Sequence, residues 1–418
     1  MNKVISIKKA SYDLILNIIG SFFITGISQL IVYPLLSRQL GQLKFGSLLT
    51  LIGLSNVIGV VIGNSLNNVR LLKENEYVNR KINGDFKYLL SKSSMIAILI
   101  MIGISIIFHK QIRLIEAILL IISTILMIYR AYINVYYRID LNYKLILLQM
   151  VVTGSGYLFG VVIFQFIHIW PIIFMFGELS AYIMGQFTTK YNKESSMKTK
   201  LFKETRSDFI QLASSNIIVN LLLYADRLLI NPILGAANVS IYFVASLVGK
   251  TIGIVLQPIA SVMLAYISKI SNMNKRKSFL SVVSIVMSLG IIGYIIIMLI
   301  TPVIIKIFYR NSLELAYPYF NLANLAGILM IMGSLIQPMI LKFCSMKWQM
   351  ITQSIYAVIY LLSNITLMKL NGLMGFCIAT TISNGIRLII FLVLGYVYIV
   401  RNNEENDNKL VKNKIISK

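Results

Sequence analysis

Lys275-Arg-Lys-Ser-Phe279-Leu-Ser-Val-Val-Ser-Ile-Val-Met-Ser-Leu-Gly290-Ile-Ile-Gly-Tyr-Ile-Ile-Ile-Met-Leu-Ile300 decides the class of this protein. Three cations open the stretch, and no charge follows from Phe279 to Ile300. A helix of that length covers roughly 33 Å at about 1.5 Å per residue. The hydrocarbon core of a bilayer is about 30 Å thick. Similar runs recur outward in both directions, at roughly 13–36, 45–69, 93–109, 113–136, 145–167, 169–189, 209–233, 240–266, 279–300, 317–341, 349–368 and 372–400. Over 418 residues the chain is 57% hydrophobic and 13% charged. A soluble domain carries roughly a quarter charged residues, so this chain cannot clothe a soluble globule of its size. The expected fold is all-α and integral to the membrane. Twelve transmembrane helices would form two six-helix bundles around a central cleft. Residues 1–200 form the first bundle; 201–418 form the second, with a short basic cytoplasmic tail.

The net charge of +24 would suit nucleic acid if it were clustered on a soluble face. Here the cations stand in the gaps between apolar runs, so no nucleic-acid partner is expected. One set of gaps holds most of them: Lys3, Lys8 and Lys9, then Arg70 to Lys92, Arg130 to Lys144, Lys190 to Arg206, Lys269 to Lys277, Lys342 with Lys347, and the tail from Arg401. The alternate gaps hold only Arg38, Lys44, Lys110, Arg113, Lys306, Arg310 and Lys369. Cytoplasmic loops carry the excess of Lys and Arg. Both termini are therefore expected in the cytoplasm, with an even number of crossings. Cys344 and Cys377 form no CxxC pair and indicate neither a disulfide framework nor a metal site. The first apolar run is too long for a signal-peptide core and lacks a small-residue cleavage site, so it reads as a retained helix.

The two halves echo each other. Pro34-Leu-Leu and Gly41-Gln-Leu-Lys-Phe-Gly46 follow the first run; Pro232-Ile-Leu and Gly235-Ala-Ala-Asn-Val-Ser240 follow the seventh. Paired six-helix halves with a site between them are a common transporter plan.

Tyr33-Pro-Leu-Leu-Ser-Arg38-Gln-Leu-Gly41-Gln-Leu-Lys-Phe-Gly46 resembles the end of the first helix in the polysaccharide transporter family. That family is the Wzx-like branch of the multidrug/oligosaccharidyl-lipid/polysaccharide exporter superfamily. Tyr224-Ala-Asp226-Arg227-Leu-Leu-Ile with Leu234-Gly235 and Ile241-Tyr242 looks like its seventh helix and the turn that follows. Val303-Ile-Ile-Lys306-Ile-Phe-Tyr309 and Ala316 to Leu325 are similar to the stretch after its ninth. Ser240 and Tyr309 replace expected glycines, and Ala265 replaces a common proline. The resemblance implies a flippase or exporter of an undecaprenyl-type lipid-linked oligosaccharide, working by alternating access in the bacterial cytoplasmic membrane. It implies a lipid-linked glycan and membrane lipids as partners, with polysaccharide polymerase and glycosyltransferases acting beside it.

Charges inside membrane spans are expensive and face a wet cavity or a partner. Asp226, Arg227, Lys250 and Arg387 fall inside spans, with Arg38 at a helix end. These five are the expected substrate-binding residues: the guanidinium and ammonium groups replace the water lost by a phosphate, and Asp226 would hold Lys250 until the phosphate competes for it. Asp226 and Lys250 lie at similar depths, about 12 and 15 Å from the same side. They suit either a packing ion pair or a switch in the site. Glu178, mid-span in the sixth run, either binds a coupling proton or sodium ion or is a satisfied buried carboxyl. Val248-Gly-Lys-Thr251 imitates the end of a phosphate loop, but Val244 stands where that loop needs glycine. Trp170 and Trp348 read as interface anchors.

No nucleophile with its base and no metal cluster is visible, so neither an enzyme nor a cofactor is expected. The alternatives are a drug or metabolite antiporter of the same superfamily, which would favour buried carboxylates, and a membrane polysaccharide polymerase, which would need a large outer loop. The basic asymmetry makes a direct prediction. A cysteine at position 410 should react with impermeant maleimide only after the cells are opened; labelling of intact cells would reverse the topology.

Overall fold

The computed structural model describes residues 7–253, 275–344 and 346–401. Almost all of them are helical, and no strand occurs among them. The helices are α1 (Ile7–Ile27), α2 (Tyr33–Asn79), α3 (Asp85–Ile107), α4 (Leu114–Ile139), α5 (Tyr143–Ile167), α6 (Pro171–Thr188) and α7 (Phe202–Leu223). They continue as α8 (Ala225–Leu234), α9 (Ala236–Ala245), α10 (Leu247–Gly253), α11 (Lys275–Phe308), the single turn α12 (Leu313–Ala316), α13 (Phe320–Phe343) and α14 (Met346–Gly395). In hydrocarbon a backbone must satisfy its own hydrogen bonds, and helices do so locally. Among the described residues seven helices are long and apolar enough to cross a membrane, or up to nine if each bent pair is one span.

Two of the seven are too long for one crossing. Tyr12–Asn79 runs for 68 residues and Ile351–Tyr398 for 48. The first is broken at Gly41 (φ 72°, ψ 170°), the second at Asn371 and Gly372 (φ 57°). These breaks fall where the sequence separates its first run from its second and its eleventh from its twelfth. The sixth run corresponds to α6, which carries Glu178 at its centre and is not among the seven. The eighth run, 240–266, is described only as far as Gly253. The rest of it, with Pro258 and Ala265, lies outside the described residues.

The seventh run is two helices. α7 and α8 meet at Tyr224 with a 58° bend, and α9 and α10 meet with a 66° bend. The echo around residues 34–46 and 232–240 acquires a backbone meaning here. Gly41 stands at φ 72°, ψ 170°, and Gly235 at φ 86°, ψ 164°. Positive φ with ψ near 180° is essentially closed to residues bearing a Cβ. Both turns therefore use the same glycine-only corner.

The chain divides into two compact units, residues 1–240 and 241–418. In the first, Leu66, Phe86, Leu90, Tyr132, Ile133 and Val135 form the core between α2, α3 and α4. In the second, Ile297, Ile336, Met339, Ile340 and Phe391 join α11, α13 and α14. The outward faces are apolar as well: Leu99, Ile107, Leu289, Ile291 and Leu299 are exposed. Water would not tolerate such faces over so wide an area, and lipid does.

The structure also moves residues that the sequence placed in loops. α2 continues to Asn79 and α3 starts at Asp85, so Arg70, Lys73 and Lys87 are helical. Arg130 lies within α4. Trp170, expected at an interface, is buried against Phe174 with ring centroids 6.3 Å apart.

The two glycine corners give a stability prediction. Gly41→Ala and Gly235→Ala should each cost about 1–3 kcal/mol through backbone strain, read as a fall in the melting temperature in detergent. Gly26→Ala, at a helical position with nothing within 4 Å of the added Cβ, should be neutral or stabilising. Equal behaviour of all three would remove the corner from the account.

Candidate functional site: buried cations in the two units

In the first unit Arg227 sits in the first turn of α8, just past the bend at Tyr224, and is buried. The bend aims its side chain along α2. Nη1 donates to the Leu49 carbonyl at 3.3 Å, and the stem passes Gly53, where a Cβ would lie 3.4 Å from its Cδ. The guanidinium lies 5.6 Å from the Tyr224 ring centroid and hydrogen-bonds the Tyr33 hydroxyl. One turn further, Asn231 donates to Thr50 Oγ1 at 2.9 Å, fixing α8 against α2. Asp226, the neighbour of Arg227, is also buried. Arg38, expected to join this group, is exposed on α2.

Glu178 is fully buried on α6 and has its counterion. Arg130 Nε donates to Oε2 at 2.5 Å, Nη2 donates to Oε1 at 3.2 Å, and the Tyr157 hydroxyl adds a bond of 3.1 Å. Such a fork fixes both carboxylate oxygens. Phe174 packs its ring against both Tyr157 and Tyr33, so the carboxylate pair and the Arg227 group are joined through aromatic side chains. Arg130 was missed as an intramembrane charge because it was counted with the loop cations, although the run 113–136 contains it. A carboxylate in mid-span was itself the signal, since it calls for a cation at its own depth.

A third cluster gathers where α2, α3, α4 and α7 meet. Arg70 pairs with Glu74 at 2.9 Å and Glu194 at 3.1 Å. Glu194 also accepts from the Tyr132 and Tyr136 hydroxyls. Lys73 pairs with Glu204 at 2.6 Å and Asp208 at 3.0 Å in the first turns of α7. Asp85 accepts from the Tyr77 hydroxyl and from the Thr199 backbone amide, each at 2.7 Å. The segment 190–208, basic in composition, is thus held by its few acids. Tyr191, within it, lies 4.8 Å from Lys87 Nζ, and burial pushes its hydroxyl pKa above the ordinary tyrosine range.

In the second unit Arg387 is only 9% exposed on α14. Nη2 donates to Gln337 Oε1 at 3.2 Å, and the guanidinium lies 5.1 Å from the Tyr356 ring and 5.4 Å from Phe391. Its Nε has no acceptor, and no carboxylate pairs with it among the described residues. The Tyr356 hydroxyl is held by Asn384, which donates to the Ala326 carbonyl. Lys250 is half-buried, its Nζ 4.7 Å from the Tyr242 ring centroid. Of the expected site residues, Asp226 and Arg227 belong to the first unit and Lys250 and Arg387 to the second. Among the described residues no group of acids, histidines and cysteines could hold a metal ion.

No family profile matches this chain, and no curated protein matches it by sequence. Solved structures do match. An inward-facing multidrug resistance MATE family transporter of the MOP superfamily superposes with a TM-score of 0.62 at 12% identity, covering 94% of this chain and 96% of that one. Lipid II flippase MurJ in an inward closed conformation superposes with a TM-score of 0.60 at 15% identity, covering 92% and 86%. The fold is that of the MOP-superfamily transporters. A third such transporter, from Pyrococcus furiosus, has a binding pocket of reversed polarity that suggests a different function for it. It matches with a TM-score of 0.60 at 14% identity, over 93% and 95% of the two chains. Transporters and a flippase, rather than enzymes, carry this fold among these neighbours.

The buried pair makes a prediction of its own. Arg130→Ala should destabilise the protein by about 3–5 kcal/mol, because it strands a buried carboxylate. Lys73→Ala, whose partners are largely exposed, should cost about 1 kcal/mol or less. Thermal unfolding in detergent separates the two, and equal effects would make the Arg130 pair solvent-screened.

Proposed function

We propose that this chain is a flippase for an undecaprenyl-type lipid-linked oligosaccharide, working by alternating access in the bacterial cytoplasmic membrane with both termini inside. Twelve spans in two six-helix halves, 1–200 and 201–418, complete the reading. The observation that carries it is Arg387, a guanidinium buried without a carboxylate partner among the described residues. An unpaired buried charge is costly, and a site that awaits an anion accounts for it. Glu178, fully buried at the centre of α6, is already neutralised by Arg130. That favours an anionic cargo over a cationic drug.

In this reading Arg227 and Arg387 replace the water around the diphosphate, and Tyr33 and Tyr224 flank the first of them. Lys250 adds positive potential, and Arg38 meets the head at a helix end. Asp226 holds a cation between transport events and releases it when phosphate competes. Glu178 keeps Arg130 in place, or exchanges a proton when the pair opens. The polar head crosses along the protein while the lipid tail stays in the bilayer. MurJ, a lipid II flippase with this fold, supports a lipid-linked cargo. Polymerase and glycosyltransferases would act on either side of the transport step.

The test is complementation of surface-polysaccharide export in a strain lacking the protein. Arg227→Ala and Arg387→Ala should each lower export at least tenfold, with partial rescue by Lys. Wild-type export by a correctly inserted double Ala variant would remove both from phosphate binding. Drug sensitivity with intact polysaccharide in the deletion strain would favour the antiporter.

A further inference from the structure

Arg138 ends α4 in an unusual setting. Its Nη1 donates to two side-chain amides of α2 at once, Asn67 Oδ1 at 2.5 Å and Asn68 Oδ1 at 2.8 Å. Asn67 is anchored in turn, because its Nδ2 donates to the Ala131 carbonyl at 2.8 Å. No carboxylate acts on Arg138 among the described residues. Amide oxygens orient a guanidinium without cancelling its charge. Nε and Nη2 therefore remain as donors, and Asn68 keeps its own NH₂ group. One turn earlier Asn64 is exposed. Asn64 lies four residues before Asn68 and eight after Asn56, so Asn64 and Asn68 share one side of α2, with Asn56 about two turns earlier toward its edge. That face also includes Gly53, which Arg227 crosses. From Asn56 to Asn68 it measures about 18 Å. Asn216 of α7 borders it, donating to Ser65 at 2.9 Å.

We infer that this asparagine face of α2 is a second binding site within the first unit, for the phosphorylated end of a glycan, with Arg138 taking the phosphate and Asn64 and Asn68 the neighbouring hydroxyls. The inference rests on the proposed lipid-linked cargo and deepens it. Side-chain amides offer donor and acceptor together, which matches sugar hydroxyls and gives nothing to an apolar cation. A charge fixed by neutral amides retains its full attraction for an anion. The two arginines bracket the face, Arg138 beside Asn68 and Arg227 beyond Asn56. The head can then be held at Arg138 before it reaches Arg227, with hydrogen-bond partners along the way. The phosphate could equally belong to an ordinary phospholipid, and the amides are what distinguish the two sources.

The experiment uses the full chain in phosphatidylcholine nanodiscs. The probes are undecaprenyl diphosphate with and without one N-acetylhexosamine, and phosphatidylglycerol. Binding is read by native mass spectrometry. Arg138→Gln should weaken both diphosphate probes at least about tenfold, as loss of a charged hydrogen bond does. Asn64→Leu should weaken only the sugar-bearing probe. Wild-type binding by both variants overturns the site. Displacement of the sugar-bearing probe by phosphatidylglycerol, with Asn64→Leu silent, makes it a phospholipid site and overturns it too. If Arg138→Gln does not give a monodisperse protein, Asn64→Leu decides alone, because its position is exposed. The wider reading fails differently: the wild-type chain would bind neither diphosphate probe. Loss of binding with Arg227→Ala but not with Arg138→Gln or Asn64→Leu would keep the flippase and discard this site.

Discussion

A charge carried into hydrocarbon must bring its own solvent. Arg130 and Glu178 do so for each other, with Tyr157 supplying a further bond. The consequences reach beyond the pair. α4 and α6 are set side by side, and Phe174, on the preceding turn of α6, is set between Tyr157 and Tyr33. Tyr33 in turn meets Arg227. One neutralised carboxylate thus orders the aromatic side chains that lead to the cation on α8.

The same constraint sorts the other cations. Arg70 and Lys73 are matched by Glu194, Glu204 and Asp208, which ties the segment after α6 and the start of α7 to α2. Arg138 and Arg387 are solvated by neutral amides instead, Asn67 with Asn68 in one unit and Gln337 in the other. Matched cations hold helices together. Cations held by amides keep their charge available, and that difference separates structural arginines from candidate ligand-binding ones.

Backbone geometry answers to a related rule. The chain must turn between crossings without leaving polar groups bare. It does so at Gly41 and Gly235 in nearly the same backbone conformation. A one-residue corner keeps successive helices almost continuous, so the segments after each glycine pack closely: Gly46 approaches the Ala236 carbonyl so tightly that no side chain fits between them.

The sequence by itself determined the membrane, the helices and the two glycine corners between them. Apolar runs such as Phe279–Ile300 admit no other solvent, and the paired Pro–Gly stretches already marked both corners. It also singled out Arg227 and Arg387 as buried charges, because any cation inside such a run stands out. Only the tertiary structure decided which charges are neutralised. Arg130 was counted with the loop cations although the run 113–136 contains it, and α4 carries it to Glu178, 48 positions away in the chain. The bend at Tyr224 lay inside an unbroken apolar run, so hydropathy could not reveal it. The asparagines of α2 were invisible for the same reason. An uncharged amide barely lowers the hydropathy of a span, and its role depends on which guanidinium the packing brings within 3 Å.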